Sequence, residues 1–122
     1  MKMHSVLSII VILISGLFST GCDKTEILYA GRFTKGDEKG LNIFEFNTRH
    51  GSLTLKSQED VGPSPSFFCL SKNKDLLYVI NEVMEFKGNF GGGLTTLSIN
   101  PETGAIAEKI NEMLIPWAGP CY

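Results

Sequence analysis

The 122-residue chain carries 11 Lys+Arg against 13 Asp+Glu, a formal net charge of −2 at pH 7, and its basic residues are scattered. That balance, without an aromatic-interleaved basic cluster, excludes nucleic-acid binding as the organising function. His4 and His50 are the only histidines, and His4 falls in the segment that reads below as a signal peptide, so no pair remains in the mature chain to share a metal.

At the N-terminus Lys2 and His4 precede an apolar run over residues 6–18, then Ser19-Thr20-Gly21-Cys22. A thirteen-residue apolar core fits a secretory signal, typically about 7–15, and is short against the ~20 residues of a spanning helix. Residues 1–21 therefore read as a signal-peptide helix and 22–26 as a short polar tether. Small residue, Gly, Cys after the core is similar to a bacterial lipobox, with Ser19 where the commonest form has Leu. On that reading Cys22 is lipidated, and the protein is an exported, membrane-anchored lipoprotein of a bacterial cell envelope. An ordinary secreted protein and an uncleaved anchor are the alternatives. Cleavage removes Lys2 and no acidic residue.

Downstream, residues 27–33 form a buried strand by their continuous apolar start and aromatic content, and 34–39 a loop. Leu41–Asn47, a turn over 48–51 and a strand over 53–57 make a hairpin. The prolines of 61–65 preclude a central strand there. Strands over 67–70 and Leu76–Asn81 are joined by the polar turn 71–75. Gly-rich residues 88–93 lead into a strand and not a helix, so they read as a hairpin loop rather than a phosphate cradle.

A thirteen-residue pattern then recurs. Gly40-Leu41-Asn42-Ile43-Phe44-Glu45-Phe46-Asn47-Thr48-Arg49-His50-Gly51-Ser52 is echoed 53 positions later by Gly93-Leu94-Thr95-Thr96-Leu97-Ser98-Ile99-Asn100-Pro101-Glu102-Thr103-Gly104-Ala105. Pro65-Ser66-Phe67 is echoed 55 positions later by Pro120-Cys121-Tyr122. Strand-only repeats at roughly 50 residues point to propeller blades of about four strands. The fold class is thus all-β: an incomplete β-propeller of about two blades of antiparallel strands, one full blade spanning 66–110. A closed ring needs roughly four to eight blades, so the two-blade stretch by itself is expected to be an inactive, weakly stable fragment.

Several side chains have bland readings beside functional ones. Cys69 and Cys121 read as free, buried thiols, because Ser66, the counterpart of Cys121, and Cys69 point to opposite faces of one strand. His50 reads as a solvated turn residue, and Trp117 as either a packing residue or part of a ligand surface.

Tyr29-Ala30-Gly31-Arg32-Phe33-Thr34, Gly40-Leu41-Asn42-Ile43-Phe44, Pro65-Ser66-Phe67, Tyr78-Val79-Ile80-Asn81-Glu82 and Gly119-Pro120-Cys121 stand in an order and spacing that resembles the seven-bladed propeller lactonase family, of the 6-phosphogluconolactonase type. The resemblance covers residues 27–122, as a partial lactonase-like propeller. It implies hydrolysis of a sugar lactone to the aldonic acid without a metal or cofactor, with the substrate and the membrane as partners. The positions it marks as catalytic are Asn81 and Glu82, with Tyr122 as a substrate-binding residue where many members have His. Glu82 serves as a general base if desolvated and is an ordinary loop carboxylate otherwise. A non-catalytic extracytoplasmic propeller that binds a glycan or protein is the alternative function.

Overall fold

A computed structural model of the chain describes residues 24–36 and 38–121. The signal segment, Cys22 and Tyr122 lie outside them. The described residues form strands and no helix: β1 (Thr25–Gly31), β2 (Leu41–Asn47), β3 (Ser52–Glu59), β4 (Pro65–Leu70), β5 (Leu76–Asn81), β6 (Glu85–Phe86), β7 (Asn89–Phe90), β8 (Gly92–Ile99) and β9 (Ile106–Ile115). They assemble as a three-stranded sheet β1-β2-β3, a four-stranded sheet β4-β5-β8-β9 and the small hairpin β6-β7. Every pairing is antiparallel.

Period-two alternation decides which face is buried. In β5, Leu77 and Val79 point inward, and in β8, Leu97 and Ile99 do. They meet Leu41 and Ile43 of β2, with Val61 from the β3–β4 connection and half-buried Ile27, Tyr29, Phe68 and Ile106 around them. The core therefore lies between the two sheets, as neighbouring blades require. The outer strands carry apolar side chains into solvent, Leu53 and Leu55 on β3 and Ile110 and Met113 on β9.

The sequence repeat is preserved atom by atom in the two hairpin turns. Asn47 Oδ1 accepts hydrogen bonds from the N–H groups of Arg49 and His50, both 3.0 Å, and Gly51 N–H donates to Asn47 O at 2.9 Å. Asn100 Oδ1 accepts from Glu102 (2.9 Å) and Thr103 (3.1 Å), and Gly104 N–H donates to Asn100 O at 2.7 Å. A short amide side chain that satisfies the N–H groups two and three residues on is what makes Asn a turn initiator. The second turn also joins the sheets, because the Tyr29 hydroxyl donates to Gly104 O at 2.8 Å.

Three details depart from the sequence expectations. Strand β1 starts at Thr25 and ends at Gly31, leaving Phe33 exposed, since Thr25 and Glu26 extend the edge pairing with Asn47 and Phe46. Strand β9 continues to Ile115 because the start of β8 offers it partners down to Gly92. The glycine-rich stretch begins within the ordered hairpin β6–β7, whose central residues Lys87 (φ 52°) and Gly88 (φ 76°) give the type I′ turn that suits strand twist. Phe86 of that hairpin is buried where a side chain at position 93 would stand, which is why Gly93 is needed. Lys87 reaches across to Glu112 of β9, which also pairs with Lys109 at 3.1 Å. Partial burial pushes the Glu112 carboxyl up, but the hydrogen bonds and charges of the two lysines outweigh it and hold it below the ordinary carboxylate range.

Cys69 and Cys121 are free, as expected, but both are exposed rather than buried. The first lies on β4, an edge strand with no described strand packed over its Cys69 face, and the second in the turn beyond β9. Trp117 is 61% exposed and is not a packing residue among the described residues.

Candidate active site

Three connections converge at the end of the sheets where β1 and β5 finish and β4 and β8 begin. The approach is close: a Cβ on Gly31 would stand 2.0 Å from Pro65 O, and one on Gly92 would stand 2.2 Å from the Pro120 ring. Asn81 and Glu82 sit here, and so does the Gly119-Pro120-Cys121 turn.

The Asn81 side chain is fully buried. Its amide donates to Pro63 O (2.9 Å) and Val61 O (3.2 Å), and its Oδ1 accepts from the Thr95 hydroxyl at 2.7 Å. Thr95 is itself buried on β8. Glu82 is half-buried, and its N–H donates to Ser64 O at 3.0 Å. The next carbonyl, Val83 O, accepts from Gly119 N–H at 2.9 Å, and Gly92 N–H donates to Trp117 O at 2.9 Å. The backbone on both sides of the Glu82 carboxyl is thereby fastened to the connections that flank it.

Ser64 ties this loop to the other sheet as well. Its N–H donates to Thr34 Oγ1 (2.9 Å), its hydroxyl donates to Thr34 O (3.2 Å), and Thr34 N–H donates back to Ser64 Oγ (3.2 Å). It does so with φ at 45°, a left-handed conformation that is uncommon outside glycine. Gly119, its counterpart 55 positions later, has φ 62°.

Beside this site Trp117, Gly119, Pro120 and Cys121 line a hollow of about 220 Å³. Ser66, one residue into β4 from the same loop, has a buried Oγ with no hydrogen-bond partner among the described residues. A larger hollow of about 420 Å³ lies at the opposite end of the sheets, lined by Lys24, Glu26, Tyr29, Lys74 and Asn100 among others. None of the sequence-marked residues lines it.

The structure thus places Asn81, Glu82 and the Gly119-Pro120-Cys121 turn at one end. Tyr122 lies outside the described residues, and the Cys22 lipidation site does too. Thr95, Ser64 and Thr34 were not singled out from the sequence. The one signal for Ser64 was its place between Pro63 and Pro65, which have no backbone N–H to donate.

The sequence profile of the family described as "Lactonase, 7-bladed beta-propeller" matches residues 27–122. The chain belongs to this family. A 6-phosphogluconolactonase of Bacillus subtilis (strain 168) is 28% identical over 94 residues, which are 77% of this chain and 25% of that protein. Among solved structures, a protein of Bacteroides fragilis NCTC 9343, provisionally described as a 6-phosphogluconolactonase, superposes with a TM-score of 0.67 at 25% identity, covering 85% of this chain and 27% of its own. One of Bacteroides uniformis ATCC 8492 with the same provisional description gives 0.65 at 28% identity, covering 77% and 26%. The periplasmic gluconolactonase of Pseudomonas aeruginosa shares the fold, with a TM-score of 0.63 at 22% identity over 81% of this chain and 27% of that one. The chain therefore spans about a quarter of the length of the relatives that it matches.

Proposed function

We propose that these blades belong to a propeller that hydrolyses a sugar lactone to the aldonic acid. The observation that carries this reading is the family match over residues 27–122, supported by relatives described as 6-phosphogluconolactonases. In the proposed reaction water attacks the ring carbonyl while Glu82 takes its proton, and the oxyanion is stabilised by positioned donors. Collapse of the tetrahedral intermediate breaks the ring C–O bond, and the departing alkoxide takes up a proton to give the hydroxy acid. Tyr122 is proposed as a substrate contact.

The test is hydrolysis of δ-gluconolactone and 6-phosphogluconolactone by the complete propeller that contains these residues. Expected is turnover well above the spontaneous rate with at least one of the two. Retained sugar binding without hydrolysis of any lactone would instead favour the non-catalytic binder.

We further propose that Cys22 is lipidated on export. Three residues from Cys22 to Thr25 reach at most about 10 Å, so the end carrying the start of β1 would face the membrane and the Glu82 end would face away. Cys22→Ser is expected to move the protein from the membrane to the soluble fraction and to remove the mass of a diacylglycerol. Unchanged mass and fractionation would overturn the assignment.

A further inference from the structure

Asn81 stands beside the proposed base, yet its geometry does not suit it to touch a substrate. It is 0% exposed, both amide hydrogens are donated to carbonyls and its oxygen is held by Thr95. A ligand would have to break that network to reach it. What the network holds is the 61–64 loop, and that loop's Ser64 carbonyl receives the Glu82 N–H. The space beside Gly62 is filled by the Asn81 amide, which a Cβ there would approach to 2.9 Å.

The other blade carries different residues at the equivalent positions. Arg32, whose N–H donates to Gly40 O, takes the place that Asn81 has opposite Gly93, and Asn42 takes the place of Thr95 53 positions earlier. Arg32 is an exposed residue paired with Glu38 at 3.1 Å, and Asn42 bonds Ala30 O and Gln58. The loop that the pair clamps carries the left-handed Ser64, whose carbonyl receives the Glu82 N–H, and strain kept at a residue over-determined by its surroundings is characteristic of functional sites.

We infer that Asn81 and Thr95 are positioning residues that aim Glu82 through the 61–64 loop, rather than groups that contact substrate. This rests on the lactonase reading for its chemical consequence but not for its structural one. Two measurements separate them. In the full chain, amide hydrogen exchange is read at Glu82 for Asn81→Ala, Thr95→Val and Thr95→Ser. Glu82 protection should fall at least about tenfold in the first two while Val79 and Leu97 keep theirs, and Thr95→Ser, which retains the hydroxyl, should restore it. Uniform loss across β5 and β8 would mean a merely structural role, and no loss at Glu82 would mean no clamp; either overturns the inference. In the complete propeller the same two variants should lower kcat for the lactone at least about tenfold with KM changed less than about threefold, again rescued by Thr95→Ser. A KM effect alone overturns the positioning role. Absence of lactone hydrolysis in the unaltered propeller defeats the lactonase reading, while the exchange data still decide the clamp.

Discussion

Exchanging Glu82 for Gln in the complete propeller is expected to lower kcat for lactone hydrolysis about 10²- to 10⁴-fold, the usual worth of a positioned general base. Gln keeps the length and shape of the side chain but does not accept a proton from water at neutral pH. Because the Glu82 N–H is bonded to Ser64 O and the adjacent Val83 O to Gly119 N–H, the backbone should hold its place in the variant, and KM should change little. Glu82→Asp provides the complementary measurement. It keeps the charge but withdraws the carboxylate by one methylene, a displacement on the order of 1 Å that costs about 10² where the attacking water must be aligned. Steady-state kinetics and thermal melts of the three proteins decide the matter. A Gln variant that retains more than half of the kcat would remove Glu82 from the mechanism.

The second large effect concerns stability and uses the repeat as its own reference. Gly51 and Gly104 close equivalent turns with φ of 67° and 69°. Nothing lies within 4 Å of a Cβ built on Gly51, whereas one on Gly104 would stand 2.4 Å from Ile27 Cγ2 and 2.9 Å from the Tyr29 hydroxyl. Gly51→Ala should therefore cost only the left-handed penalty, about 1–2 kcal/mol. Gly104→Ala adds overpacking between the sheets, typically about 1–3 kcal/mol, for a total of about 2–5 kcal/mol. Denaturant unfolding of the full chain measures both, and equal losses would show that the turn does not hold the sheets together. The Tyr29–Gly104 bond has a pH signature as well. Burial raises the Tyr29 phenol above its ordinary value of 10.0, so its contribution is complete below that value and is lost as pH rises through the folded-state pKa.

The fold was largely legible in the linear chain because its information is local. Alternation in Leu41–Asn47 and Leu76–Asn81, together with Asn-led turns closed by glycine, specifies hairpins whatever surrounds them. Repetition at 53 residues then specifies blades. The site was legible only in outline. Asn81 and Glu82 stood out through family resemblance, which places residues but does not divide roles between them. That Asn81 is fully buried and saturated follows from contacts 14 to 20 residues away, with Thr95, Val61 and Pro63.

The same distinction explains the corrections. Cysteine burial was inferred from residue type, whose average holds for interior strands, but Cys69 stands on the edge strand β4. The hairpin β6–β7 was hidden because two-residue strands carry no periodicity, and its order comes from Phe86 against Gly93 and Lys87 against Glu112. The sequence by itself determined the long strands, their turns, the blade repeat and the family, since each depends on neighbours along the chain or on a pattern spread over many residues. Only the tertiary structure decided which end of the sheets gathers the candidate site, that Ser64 locks both blades to one loop, and that Glu82 is fastened on each side. Those properties arise from hydrogen bonds between separate connections, each with a backbone group on at least one side, and a backbone N–H or C=O has no signature in sequence.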